Sequence, residues 1–226
     1  MSISRDFPPL VIGDLTLSLP IIQGGMGVAI SMSGLASAVA SEGGIGVIAT
    51  AGIGFNNPEF GSDYREANLA ALRCEIRKAR TATAGVLGVN ILAALTNHEE
   101  LARTAMAEGI DLIISGAGLP MNLPAYRPVG CRTKLIPIVS SARAATVIAR
   151  RWRERFDYIP DAIIVEGPLA GGHLGFKPEQ IGEPAYALEK LVPEVLAVVR
   201  ELEQRHQRRI RSEERRVGKE CCTPCR

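Results

Sequence analysis

One histidine in this 226-residue chain stands where chemistry could be done. His173 belongs to the run Glu166-Gly-Pro-Leu-Ala-Gly-Gly-His-Leu-Gly175, directly behind the apolar quartet Ala162-Ile-Ile-Val165. Four apolar residues rich in Ile and Val read as a short buried strand, and Glu166 closes it. Imidazole titrates near neutrality, so it can take or give a proton at working pH. The pair Gly171-Gly172 allows main chain to approach a ligand closely beside it. A loop just past the carboxyl end of a strand is also where α/β sheets and barrels place reacting groups. A lone histidine is more often structural, so the elements around it must decide.

Those elements recur along the chain. Leu10-Val-Ile12 and Leu15-Thr-Leu17 flank a Gly13-Asp14 turn and predict a small hairpin over one end of the core. Six strand candidates follow: Pro20–Gln23, Ile45–Ala49, Gly85–Ile91, Asp111–Ser115, Lys134–Val139 and Ala162–Val165. Between them lie predicted helices, the first from Ser31 or Ser33 to Ser41 and the second over 64–80. A third runs from an Asn97 cap to about Glu108 and a fourth from Ser140 or Ser141 to about Arg155. After the His173 loop a fifth is predicted from Ala185 to Arg205. This alternation calls for a parallel sheet with helical crossovers, its strand ends gathered on one face. The predicted fold class is α/β, a (β/α)8 TIM barrel, incomplete, with six β/α units present. No G-x-G-x-x-G follows a strand, because Gly52-Ile-Gly54 and Gly116-Ala-Gly118 both lack the third glycine.

Composition narrows the function. Hydrophobic residues make up 46% and aromatic residues 4%, which suits strands buried on both faces and disfavours a stacking surface for nucleic acid. No apolar run approaches the roughly 18 residues a membrane span needs. Residues 211–226 hold five Lys/Arg and three Asp/Glu. Removing them from the totals of 26 and 24 leaves 21 of each, so the net charge of +2 is no signal for nucleic acid. Three of the five cysteines lie in the same segment, and the remaining Cys74 and Cys131 fit a reducing, cytoplasmic setting. Cys221, Cys222 and Cys225 with His206 fit a zinc knuckle poorly, because two of the cysteines are adjacent and no second C-x2-C pair exists, so no metal site is predicted. The organisation read from this is a domain over 1–210 and a non-native or disordered tail over 211–226, too poor in apolar residues to supply a central strand. That tail resembles a run that recurs as read-through at the ends of unrelated sequences.

Five motifs in order stand at the ends of successive strands: Gln23-Gly-Gly-Met26, Gly43-Gly-Ile-Gly-Val-Ile48, Gly88-Val-Asn-Ile91, Ser115-Gly-Ala-Gly118 and the Glu166 to Gly175 run. Over residues 20–205 this set resembles the nitronate monooxygenase family, formerly called 2-nitropropane dioxygenases. The flavin-dependent enoyl-acyl-carrier-protein reductases share it. The resemblance implies a TIM barrel with FMN as cofactor. It implies that Gly24, Gly25 and Met26 line the flavin ring and that Asn90 hydrogen-bonds it. Ser140 would approach the ribityl or pyrimidine side, although the residue is equally a helix cap. Glu166 would bind the ribityl chain or a neighbouring group, Gly171 and Gly172 would meet the cofactor by main chain, and His173 matches the catalytic histidine.

The implied activity is FMN-dependent oxidation of alkyl nitronates or nitroalkanes, small-molecule substrates, with molecular oxygen. An NAD(P)H-dependent FMN reductase of enoyl-thioester or quinone type carries the same motifs. An inactive barrel fragment is the third reading. The resemblance also places the FMN phosphate at the seventh and eighth strands. A chain expected to lack both is expected to hold FMN weakly or not at all.

Overall fold

A computed structural model describes residues 8–172 and 175–215. Strands β1 (Leu10–Ile12) and β2 (Leu15–Leu17) pair antiparallel around the Gly13-Asp14 turn, as their spacing predicts. Then helices and strands alternate: α1 (Ser33–Ser41), β3 (Gly46–Ala49), α2 (Tyr64–Ala82), β4 (Leu87–Leu92), α3 (His98–Ala107) and β5 (Leu112–Gly116). They continue through β6 (Lys134–Val139), α4 (Ala142–Phe156), β7 (Ala162–Glu166), α5 (Leu188–His206) and β8 (Arg211–Arg215). Strands β3 to β8 form one parallel sheet in sequential order, the winding a β/α barrel requires.

The period of two along each strand sorts side chains into two cores. Val47, Ile114, Ile136 and Ile164 point to an inner core, where they meet Leu10, Ile12 and Leu17 of the hairpin. Their neighbours Ile48, Ile113, Leu135 and Ile163 point outward to the helices. The hairpin therefore closes the end of the barrel where the strands begin. Helix α1 lies so close to β3 that a methyl on Gly46 would sit 1.8 Å from the Ala36 carbonyl oxygen. Trp152 of α4 is fully buried, and its Nε1–H donates to the Pro120 carbonyl at 2.9 Å, docking the irregular segment between β5 and β6.

Four expectations are corrected. Pro20–Gln23 is not a full strand: a single parallel bridge joins Ile22 to Ile45. Beyond it the Gln23 side chain replaces main-chain pairing, its Nε2–H donating to the Val47 carbonyl and its Oε1 accepting from the Val47 N–H. Neither Ser31 nor Ser33 caps α1 with its side chain; Met32 holds the cap position, and the Glu75 carboxylate of α2 accepts from the Ser33 N–H at 2.9 Å. Asn97 stands at the start of α3 without capping it by its side chain, whose Nδ2 is buried with no partner among the described residues.

The fourth correction is the largest. Residues 211–215, expected to form no strand, pair in parallel with β7 from Ala162↔Arg211 to Glu166↔Arg215. Main-chain hydrogen bonding needs no apolar side chain, and an edge strand tolerates charge. Buried Ile210 and the Arg208 to Asp161 ion pair at 2.5 Å deliver the chain to the free edge of β7. The seventh place of the barrel is thus filled by a strand.

Candidate active site

The carboxyl ends of the strands carry two clusters, separated by β5. The first is built on the loop after Gln23. Ser31 is fully buried, and its hydroxyl accepts from Gln23 Nε2 at 3.1 Å and from the Met26 N–H at 3.0 Å, and donates to the Gly24 carbonyl at 3.2 Å. The Ser31 N–H returns to the Met26 carbonyl at 3.0 Å, and the Val28 N–H donates to the Ala51 carbonyl at 2.7 Å. Inside this closed loop Val28 and Ala29 have φ of 52° and 59°, a region that side-chain-bearing residues avoid.

Gly25 meets Asn90. A methyl on Gly25 would lie 2.5 Å from the Asn90 Cβ, so only glycine lets the loop rest on that side chain. Asn90 points to the inner face of β4 and is half-buried, and its amide has no hydrogen-bond partner among the described residues. Its carbonyl is taken by the Thr50 N–H at 3.0 Å and the Thr50 hydroxyl at 2.9 Å. The N–H groups of Gly24, Gly25 and Gly27 also have no acceptor among the described residues. A half-buried amide beside three open N–H donors suits a planar heterocycle edged with carbonyl and ring-nitrogen acceptors. Met26 is 43% exposed at the rim.

The second cluster joins Ser140, Glu166 and Gly175. Glu166 is buried at the end of β7, and its Oε2 accepts from the Gly175 N–H at 3.2 Å. The Ser140 hydroxyl donates to the Gly175 carbonyl at 3.4 Å. Ser141, not Ser140, caps α4, accepting from the Ala144 N–H, which frees Ser140 for the site. Both side chains line a cavity of about 340 Å³ with Ala117, Gly118, Leu119 and Ile138. One carboxylate and one hydroxyl among apolar walls suit the hydroxyls of a sugar-alcohol chain better than an anion.

Gly171 and Gly172 are exposed, and a methyl on either would meet nothing within 4 Å. Only Gly172, with φ of 88°, needs to be glycine for its backbone. His173 lies outside the described residues. Sequence reasoning missed the roles of Gln23 and Ser31. The signal available was a long amide directly before two glycines with a serine eight residues on, read there as a helix cap.

Among the described residues no group of three or more His, Cys, Asp or Glu side chains could hold a metal ion, and no helix is long and apolar enough to cross a membrane. A sequence model of nitronate monooxygenase matches residues 9–200. A search of curated proteins finds no match. Among solved structures, a point mutant of FabK from Thermotoga maritima is 28% identical with a TM-score of 0.61, covering 81% of this chain and 51% of that one. Nitroalkane oxidase from Streptomyces ansochromogenes is 20% identical with a TM-score of 0.60, covering 81% and 56%. This chain therefore spans about half the length of the solved proteins it resembles, and its fold is an incomplete TIM barrel. The matched family is one of FMN-dependent flavin oxidoreductases. With the family match covering most of its length and the family's glycine loop resting on Asn90 at the strand ends, the chain belongs to the nitronate monooxygenase family.

Proposed function

We propose that this chain binds FMN and oxidises alkyl nitronates or nitroalkanes with molecular oxygen. The observation that carries the reading is the Gly25 to Asn90 contact, which sets open main-chain donors beside an unpartnered amide. In this reading Gly24, Gly25, Met26 and Asn90 hold the flavin ring. Ser140 and Glu166 hold the ribityl chain, and Gly171 and Gly172 add main-chain contacts. FMN supplies the acceptor for the electron pair that leaves the substrate, which no side chain of the chain can provide. The His173 imidazole takes the proton next to the nitro group of a neutral nitroalkane. A nitronate arrives without that proton, and His173 then orients it. The filled seventh barrel position removes half of the ground for expecting weak FMN binding. A cytoplasmic setting is proposed with this function, on the two free cysteines Cys74 and Cys131.

The second reading is NAD(P)H-dependent reduction of an enoyl thioester or quinone. The observation favouring it is that identity to FabK, 28%, exceeds the 20% to nitroalkane oxidase. One experiment tests both. FMN is titrated into the purified chain by fluorescence quenching, and the loaded protein is then assayed for nitronate consumption and for NADH and NADPH oxidation. Saturable binding with oxygen-dependent nitronate loss, weakened in His173→Ala, is expected. Nicotinamide oxidation without nitronate loss selects the second reading. Absence of saturation overturns both.

A further inference from the structure

We propose that Ser31 is a positioning residue for FMN: its buried hydroxyl fixes the Gly24–Gly27 main chain so that the Gly25 and Gly27 N–H groups stay open for the cofactor. The inference rests on the FMN reading above and adds to it a residue that does not itself meet the flavin. The Ser31 hydroxyl is saturated by three partners, all of the loop or its base: Gln23 Nε2, the Met26 N–H and the Gly24 carbonyl. It therefore removes one donor and one acceptor from the surface of the loop. Of the four N–H groups in 24–27, Met26 alone is paired among the described residues.

The same side chain stabilises a strained turn. Left-handed Val28 and Ala29 persist only where their surroundings over-determine them. The closing bonds are the Met26 N–H to the Ser31 hydroxyl, the Ser31 N–H to the Met26 carbonyl, and the Val28 N–H to the Ala51 carbonyl. The Ser31 carbonyl in turn accepts from the Ala49 N–H at 2.9 Å, next to Thr50, which holds the Asn90 carbonyl. The loop and the amide it rests on are thus referenced to one residue. Without the hydroxyl, the Met26 N–H and Gly24 carbonyl lose their partners, and the turn can relax by rotating the glycines that precede it.

The test compares wild type with Ser31→Ala, Ser31→Cys and Ser37→Ala. Ser37 is another buried serine, bonded within its own helix to the Gly34 carbonyl, and serves as the control for loss of a buried hydroxyl. Three quantities are read: the FMN dissociation constant, the visible absorption band of the bound flavin, and hydrogen exchange of the Met26 amide in the FMN-free protein. Expected are an FMN affinity about tenfold weaker in Ser31→Ala, the size of one hydrogen bond, with a shifted flavin band and faster Met26 exchange. Ser37→Ala should match wild type in all three. Ser31→Cys keeps the volume while giving only a weak donor and acceptor, so it carries the test should Ser31→Ala fail to fold. A folded Ser31→Ala or Ser31→Cys with affinity within about twofold of wild type and a superimposable flavin spectrum overturns this proposal alone, since one lost bond is worth more. Wild type that shows no saturable FMN binding overturns the FMN reading and this proposal with it.

Discussion

The two ends of the barrel are built to opposite rules. Where the strands begin, polar groups are paired by a repeated device. Asp111 ahead of β5 accepts from the Leu87 N–H of the preceding strand, and Asp161 ahead of β7 accepts from the Leu135 N–H, both at 2.8 Å. Arg80 and Arg208 neutralise these carboxylates at 2.7 and 2.5 Å. The hairpin turn is tied to β6 by Lys134, 2.5 Å from Asp14, and with Arg132 it holds the Asp14 carboxyl down at about 2. Where the strands end, Val28, Ala29 and Ala117 sit at positive φ, whereas at the other end Asp157 and Gln207 do so as ordinary helix C-caps. At the strand ends the Gly24, Gly25 and Gly27 N–H groups also lack acceptors among the described residues, and Met26, Val28, Ile30, Phe55 and Leu119 are exposed. A fold can leave groups strained and unpaired only if other contacts carry its stability, and here they are gathered at the opposite end.

The comparison breaks most readily at the hairpin. Ile12 is fully buried under the inner core, and Ile12→Ala should cost about 2–5 kcal/mol in a denaturant titration. A loss below about 1 kcal/mol would mean that the hairpin only rests on the barrel and does not close it. Gly25→Ala should do the reverse. Its methyl would press on Asn90, 2.5 Å from Cβ and 2.8 Å from Cγ, so the loop or the amide must move. FMN affinity is expected to fall by about tenfold or more while the denaturant midpoint stays close to wild type, because the contact lies at the open end. Equal losses of stability and affinity would erase the distinction between the ends.

How much of this was legible in the sequence differs along the same line. The closed end was readable because its signals are local: Leu10-Val-Ile12, Gly13-Asp14 and Leu15-Thr-Leu17 are a hairpin on sight. Apolar runs such as Leu112–Ile114 and Ala162–Val165 gave the strands, and the glycines after Gln23 gave the first cluster of the site. What escaped was non-local. Ser31 was read as a cap because serine before a helix usually is one, yet α1 takes its cap from Glu75, 42 residues away. Burial opposes the charge of Glu75, and the bonds from Ser33 and Lys78 outweigh it, holding the carboxyl below its usual 4.5. Strand β8 escaped because its reason lies in the free edge of β7 and not in its own charged residues. The Gln23 amide standing in for strand pairing leaves no pattern at all in the residues it joins.

A third substitution sharpens what the strain is for. Val28 carries a β-branched side chain at φ 52°, where glycine is at ease, and that side chain is 60% exposed, so little packing is lost with it. Val28→Gly should stabilise the fold by about 1 kcal/mol, the relief of a left-handed residue less the entropy glycine adds to the unfolded chain. FMN affinity should fall at the same time, since the relaxed turn no longer fixes the glycines before it. A variant that is no more stable than wild type would show that the turn is not strained. One that is stabilised and binds FMN equally well would show that the strain does not serve the site.

The smallest effect concerns the one histidine placed at the open end among the described residues. His98 begins α3, packs its ring edge-on to Tyr126, and is buried, with Nε2 3.3 Å from the Ser115 hydroxyl. That hydroxyl already donates to the Ile91 carbonyl at 2.9 Å, so the consistent tautomer has the His98 Nε2–H donating to Ser115. Burial lowers its pKa below the ordinary 6.5, only partly opposed by the charge of Glu99. The folded state therefore binds the proton less readily than the unfolded state. The stability this gives is present above the unfolded value and is lost as pH falls through it toward the depressed folded one. Stability measured from pH 8 down to pH 5 should fall more steeply in wild type than in His98→Gln, the difference opening below about 6.5. A wild type that instead gains on the variant as pH falls would mean that His98 is charged in the fold. The open end would then hold a buried charge between β5 and α3, and the contrast between the two ends would have to be redrawn.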